Sequence, residues 1–137
     1  MPECVFCRVY ENEKIKFLYE DKICFVVLDK YSTTKGHSLV ITKKHYKNML
    51  EVPDDALEHC FKIAKYFGIR IIAKLNTKAL LIRTNIGASS GQLIMHFHIH
   101  VKPADEETGS YVYYKEDRLP IGEEERLIKI LKTDRLY

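Results

Sequence analysis

Three imidazoles set two residues apart are the first chemistry this chain offers. In the stretch Gly91-Gln92-Leu93-Ile94-Met95-His96-Phe97-His98-Ile99-His100-Val101-Lys102-Pro103, half of the six histidines fall within five residues. Successive side chains of an extended strand point to opposite faces, so a strand over Met95 to Lys102 places His96, His98 and His100 on one side. Phe97, Ile99 and Val101 then face the core. A histidine-rich polar face is the plainest reading. A metal site is a second: neutral imidazoles bind zinc or a transition metal, but an open catalytic centre usually recruits a further His or a carboxylate. No carboxylate lies between Asn76 and Val101. In a third reading one His is a nucleophile, and the others hold its tautomer, position a phosphate and shuttle a proton. That chemistry needs main-chain amides nearby, which Gly87-Ala88-Ser89-Ser90-Gly91-Gln92 can supply.

Cys4-Val5-Phe6-Cys7 is the second constellation. Chance, a redox dithiol and half a metal site all fit the spacing. A thioredoxin-like dithiol should follow a strand and open a helix, whereas this pair precedes the charged run Glu11-Asn12-Glu13-Lys14. Half of a Cys2His2 zinc site remains, with two thiolates from one turn and two imidazoles from elsewhere. Cys24 and Cys60 sit singly among apolar residues and read as small core side chains.

These groups need a scaffold, and 137 residues suffice for one domain, taken as 1–137, with 104–137 an extension of the same unit. A hydrophobic fraction of 46% with 30% charged residues fits a soluble globular protein. A net charge of +3 suits an anionic small ligand; without dense Lys/Arg runs, nucleic acid is not an expected partner. No apolar run approaches the roughly 18 residues of a membrane span, and Glu3 and Cys4 stand where a signal peptide would be basic and then apolar. A cytoplasmic protein with reduced thiols and no membrane partner is therefore expected.

The periodicity gives an α+β fold: an antiparallel sheet of about five strands, one long helix and a C-terminal helix. Lys16–Glu20 and Lys22–Asp29 read as strands joined at Glu20-Asp21, and His37–Lys43 as a third. Leu57, Phe61, Ala64, Gly68, Ile71 and Leu75 form one stripe of a helix that starts after Pro53 and ends at Asn76. His59 falls on that helix and reads as a surface or boundary residue. Lys78–Asn85 is the fourth strand and Met95–Lys102 the fifth; Ser110–Tyr114 forms a short strand or a partner-facing segment. Pro120 opens the last helix, with acids first and bases last.

With these pieces in order, the sequence resembles the histidine triad superfamily of nucleotide hydrolases and transferases. His96-Phe-His98-Ile-His100-Val-Lys102 matches its alternating signature of His and apolar residues, except that Lys102 replaces an apolar last position. Phe25-Val-Val-Leu-Asp29, Lys35-Gly-His-Ser-Leu-Val-Ile-Thr-Lys-Lys-His45, Asn85 and Gly91-Gln92 fall at the family's order and spacing, so the likeness covers roughly residues 4–103. It implies that His98 attacks the α-phosphorus of a purine nucleotide or nucleotide conjugate, such as a phosphoramidate or dinucleoside polyphosphate. The resulting nucleotidyl-histidine is then hydrolysed. His100 and amides near Gly91 and Gln92 would bind the phosphate, Asp29 the ribose hydroxyls, and Asn85 and Gln92 would orient phosphate and leaving group, with His37 behind the triad. Members with an N-terminal Cys-x-x-Cys imply a structural zinc on Cys4, Cys7, His45 and His96. A homodimer is also implied. Leu93 departs from the pattern: a Ser or Thr whose hydroxyl helps the leaving group often stands there. A non-enzymatic nucleotide-binding module with a structural zinc is the competing reading.

Overall fold

The computed structural model describes residues 4–31, 34–104 and 120–137. Five strands form one antiparallel sheet in the order β1-β2-β3-β5-β4: β1 (Phe17–Glu20), β2 (Cys24–Leu28), β3 (Ser38–Thr42), β4 (Leu80–Arg83) and β5 (His98–Pro103). Helix α1 (Asp54–Leu75) crosses between β3 and β4, and α2 (Ile121–Leu131) follows the sheet in sequence. The expected α+β architecture is present. The expected segment Ser110–Tyr114 lies outside the described residues.

Local chemistry explains the turns. Asp21 Oδ1 accepts from the backbone amides of Ile23 and Cys24 at 2.8 and 2.9 Å, which closes the β1–β2 hairpin. Its Oδ2 accepts from Tyr19 Oη at 3.0 Å and lies 2.7 Å from His59 Nε2, so His59 clamps α1 to this hairpin from a boundary position. Asp54 and Asp55 occupy the first turn of α1, where the helix dipole favours them, and Asn76 ends it in the left-handed conformation at φ 54°.

The two faces of the sheet bury different things. Against one face, Val26, Val40, Ile99 and Val101 meet Cys60, Ile63, Ala64, Phe67 and Ile71 of α1, all at most 1% exposed. Truncating a side chain as large as Phe67 in such a core costs about 3–5 kcal/mol. Cys24 and Cys60 are fully buried core thiols, as their surroundings in the sequence indicate. Ala64, Gly68 and Ile71 of the expected α1 stripe are buried, whereas Phe61 is exposed and Cys60, Ile63 and Phe67 complete the contact. Positions 60 and 61 differ by about 100° around the axis, so a sequence ladder that admits either cannot choose between them.

On the opposite face Phe6 and Val9 of the N-terminal segment cover Phe25, Leu39 and Ile41. Coverage from both sides is why every residue of β3 is buried. Helix α2 inserts Leu127 and Leu131, both fully buried, and Thr133 N donates to Leu18 O at 2.9 Å. The Arg70 guanidinium donates to the carbonyls of Leu131 and Lys132 at 2.6 and 2.9 Å, satisfying acceptors that a helix end leaves open. Among the described residues no helix is long and apolar enough to cross a membrane.

One boundary bears on the site. The fifth strand begins at His98, and His96 sits in a bend before it. Phe97 N is drawn to Tyr46 O at 2.7 Å, outside the β3–β5 ladder. The three imidazoles therefore do not form one row on a strand.

Candidate functional site

The bend divides the histidines between two centres. At the first, His96 Nδ1 lies 3.3 Å from Cys4 Sγ, 3.5 Å from Cys7 Sγ and 3.2 Å from His45 Nδ1, and Cys7 Sγ lies 3.2 Å from His45 Nδ1. Zinc–sulfur and zinc–nitrogen bonds of about 2.3 and 2.0–2.1 Å in a tetrahedron require donors roughly 3.3–3.8 Å apart, so this set fits a zinc ion with slight expansion. The fourfold donor group Cys4, Cys7, His45 and His96 is complete. The outer contacts agree. His96 Nε2 sits 2.7 Å from Thr42 O and donates its proton there, which leaves the Nδ1 lone pair facing the thiols. Burial, reinforced by His45 and His98, holds the His96 imidazole down at about 4 against the Thr42 contact that favours its charged form. It is therefore neutral, as a ligand must be. Burial and the neighbouring Cys4 push the Cys7 thiol upward when no cation shares the site.

The second centre lies on the sheet face opposite α1. In register, Ile41 pairs with His98, and His100 lies between Leu39 and Arg83. His98 Nδ1 is 2.6 Å from His96 O and donates to it, so Nε2 carries the free lone pair. The Phe6 ring stands edge-on to it at 5.2 Å. His100 Nδ1 meets His37 Nε2 at 2.9 Å, and His37 Nδ1 lies 3.7 Å from Asp29 Oδ2. Burial dominates their titration: His37 is held near about 2 and His100 near about 3, with the other imidazoles, Arg83 and Lys102 pushing the same way. His98 is also lowered by burial, against its contact with His96 and the charge of Asp29. All three are neutral at physiological pH.

These groups open on a cavity of about 740 Å³. Phe6, Val9, Ile15, Val27 and Leu39 form an apolar wall, Asp29, Gly91, His98 and His100 supply polar groups, Lys14 and Lys16 add positive charge, and Lys30 stands 3.9 Å from Glu124, which also lines the cavity. An apolar wall beside a carboxylate and neutral imidazoles suits an aromatic base joined to a sugar phosphate. Burial raises Asp29, while the amide of Tyr31 and the charges of Lys102 and Arg83 pull it back down.

The remaining anticipated residues build the loop under this cavity. Gln92, 3% exposed, donates to Lys47 O and Ile94 O at 2.7 and 3.1 Å and accepts from Gly87 N at 2.8 Å. Asn85 Nδ2 donates to Ser90 O at 2.6 Å. Both side chains are thus engaged inside the loop, while Gly91, at φ +100°, brings bare backbone to the cavity. Leu93 is 80% exposed at the cavity edge. The apolar wall escaped sequence reasoning. Its only signal was the isolated Val9 and Ile15 among charged neighbours.

Comparison with known proteins agrees with this geometry. The HIT domain family model matches residues 11–107, more than half of the chain. An adenylylsulfatase from Arabidopsis thaliana is 34% identical over 106 residues, 76% of this chain and 53% of that protein. The crystal structure of a hypothetical histidine triad nucleotide-binding protein from Sulfolobus tokodaii superposes with a TM-score of 0.82 at 34% identity, covering 94% of this chain and 89% of that one. A zinc-bound histidine triad family protein from Mycobacterium smegmatis shares the fold, with a TM-score of 0.78 at 24% identity over 95% of this chain and 94% of that one. The split histidine cluster, the five-stranded sheet that carries it and these likenesses together place the chain in the histidine triad, or HIT, family.

Proposed function

We propose that this protein is a nucleotide hydrolase or transferase that cleaves at the α-phosphate through a nucleotidyl-histidine on His98. The observation that carries this reading is the tautomer of His98. Its Nδ1 proton is committed to the His96 carbonyl, so the Nε2 lone pair is presented to the cavity at neutral pH. Attack of Nε2 on the α-phosphorus forms an N–P bond and breaks the bond to the leaving group, which takes a proton from solvent as it departs. Water then adds to the phosphorus, the N–P bond breaks, a proton returns to solvent and the neutral imidazole is restored. Splitting the displacement in two lets each step use a good nucleophile or a good leaving group.

His100 supports the phosphoryl group. In the tautomer in which His37 Nε2–H donates to His100 Nδ1, the His100 Nε2–H can donate to a phosphate oxygen. The backbone around Gly91 offers further amides. Asp29 accepts from the ribose hydroxyls, and the wall of Phe6, Val9, Ile15, Val27 and Leu39 takes a purine base. Substrates of this shape are nucleoside phosphoramidates, dinucleoside polyphosphates or related adenylyl conjugates; the similar Arabidopsis protein is an adenylylsulfatase.

Cys4, Cys7, His45 and His96 would hold a structural zinc. The ion supplies cross-linking: it ties the N-terminal turn, and with it Phe6 and Val9, onto the sheet. Reduced thiols suit a cytoplasmic setting. A homodimer fits the edge position of β4 among the described strands and the exposed Phe61, Ile69 and Ile72 on α1. Sedimentation analysis giving a monomer at micromolar concentration removes that part of the proposal.

The test is turnover of adenosine 5′-phosphoramidate and a dinucleoside polyphosphate by wild type beside His98→Ala. Nucleotide release by wild type alone is expected, with binding largely retained in the variant. Stoichiometric nucleotide binding with no release by zinc-loaded wild type would instead make the protein a binding module, a reading that the exposed Leu93 favours.

A further inference from the structure

The C-terminal helix reaches the nucleotide cavity. Glu124 and Ile128 of α2, four residues apart and so on one face of the helix, both line it. Leu127 and Leu131, on the adjoining face, are fully buried and fasten the helix to the core. Two ion pairs tie the start of α2 to the residues that follow β2: Glu124 Oε1 lies 3.9 Å from Lys30 Nζ, and Glu123 Oε1 lies 3.6 Å from Lys35 Nζ. The Glu124 side chain is only 16% exposed. Lys30 lines the cavity with it, directly after Asp29.

A carboxylate on the wall of an anion-binding cavity works against the phosphate unless the ligand brings donors to meet it. Phosphate oxygens bring none, and the ribose hydroxyls go to Asp29, so the donors must come from the base. Stability gives no better reason for the acid: its pair with Lys30 is long and partly exposed, and such pairs contribute little.

Resting on the function proposed above, we propose that Glu124 is a specificity-determining residue that reads the outer edge of the purine base and, with Lys30, favours guanine over adenine. Lys30 follows the residue that holds the ribose, and a lysine stem spans about as far as a purine does from its glycosidic nitrogen to its outer edge. The apolar wall of Phe6, Val9 and Val27 takes the ring face, which adenine and guanine offer equally, so the edge must discriminate. Along that edge guanine presents the acceptor O6 and then the donors N1–H and N2–H. An ammonium beside a carboxylate presents one donor and then two acceptors, in matching order. At 3.9 Å Lys30 and Glu124 attract without hydrogen-bonding to each other, which suits two groups that grip neighbouring atoms of one ligand. Adenine presents an amino donor to the ammonium and the acceptor N1 to the carboxylate, so like meets like. It still stacks on the wall, but without these bonds.

The experiment measures Kd of GMP, IMP and AMP by calorimetry on zinc-loaded wild type, Glu124→Gln, Glu124→Ala and Lys30→Met, with turnover of guanosine and adenosine 5′-phosphoramidates alongside. Wild type is expected to bind GMP roughly tenfold or more tighter than AMP, with IMP, which lacks the 2-amino group, between them. Glu124→Gln keeps the shape of the side chain, and so the fold, but turns one acceptor into a donor. It should weaken GMP roughly tenfold and leave AMP unchanged or tighter. Glu124→Ala should bring the three nucleotides together, and Lys30→Met should remove a smaller part of the preference. A side chain that only packs or pairs would change all three alike. GMP bound no tighter than AMP by wild type, or a GMP-to-AMP ratio unchanged in Glu124→Gln, would overturn the proposal. The ratio is read from binding alone, so the expected ratio without any product release upholds Glu124 while the hydrolase reading fails. Failure of every nucleotide to bind overturns both.

Discussion

His96 and His98 stand two positions apart, yet they present opposite nitrogens to their surroundings. His96 gives its Nε2 proton to Thr42 O and turns Nδ1 toward two thiols. His98 gives its Nδ1 proton to His96 O and turns Nε2 toward the cavity. Burial keeps both neutral. The side chain is the same, and a main-chain carbonyl decides which lone pair is available and where it points. The bend before β5 separates them: one imidazole faces the thiols and the next faces the cavity.

That division is open to attack from each side. The largest effect should come from His98→Ala, which is expected to lower turnover at least about 10⁴-fold while moving the melting temperature by no more than ~3 °C. Cys7→Ala should do the reverse. It should lose the zinc and ~10 °C of melting temperature, with kcat tracking the folded fraction and KM rising as Phe6 and Val9 loosen from the base wall. Zinc analysis, calorimetry and kinetics on the same two samples would break the comparison if both variants lost both properties.

Acid should destabilise the second centre in a defined window. His37 and His100 protonate near 6.5 when unfolded but near about 2 and about 3 when folded. Between those limits the unfolded chain binds more protons, so their stabilisation is complete above pH 6.5 and is lost progressively as pH falls toward 3 or 2. Each contributes a slope of ~1.4 kcal/mol per pH unit, or ~4 kcal/mol for the pair between pH 7 and 5. Urea unfolding at the two pH values measures it. His37→Phe, one imidazole short, should show about half of this contribution.

The same variant sharpens the catalytic side. Without His37 Nε2–H to fix its tautomer, His100 should bind phosphate less well and kcat/KM should fall about 10–100-fold. An unchanged kcat/KM would remove His37 from the account. The smallest effect is expected at Leu93, whose 80% exposure leaves little packing to lose. Leu93→Ser should alter stability by less than about 0.5 kcal/mol and raise phosphoramidate turnover a few-fold by adding a donor near the leaving group. No change in turnover would show that backbone amides already serve there.

Much of this was legible in the residues, for reasons particular to each. Alternation between His and apolar residues reports which sheet face is buried, so Phe97, Ile99 and Val101 were assignable to the core. The Cys-x-x-Cys spacing asked for two distant imidazoles, and His45 and His96 are where the chain brings them. What stayed hidden depends on main-chain direction. No residue type announces that the strand starts at His98, because the bend arises from Phe97 N reaching Tyr46 O. The resemblance gave Gln92 a part in orienting phosphate; in the structure its amide is engaged by Gly87, Lys47 and Ile94, contacts that exist only once the loop has closed. Phe61 shows the same limit on α1, where a rotation of one residue separates the core from solvent.

The central claim is the covalent role of His98, and the most direct test is to catch the adduct. Zinc-loaded protein would be mixed with a slowly leaving nucleotide conjugate and quenched within milliseconds into alkaline denaturant, which spares an acid-labile N–P bond. Intact mass and peptide mapping would follow. A nucleotidyl group on His98 that forms before product and disappears as product accumulates is the expected result. Rapid turnover with no adduct at any time, or an adduct on a residue other than His98, would contradict it.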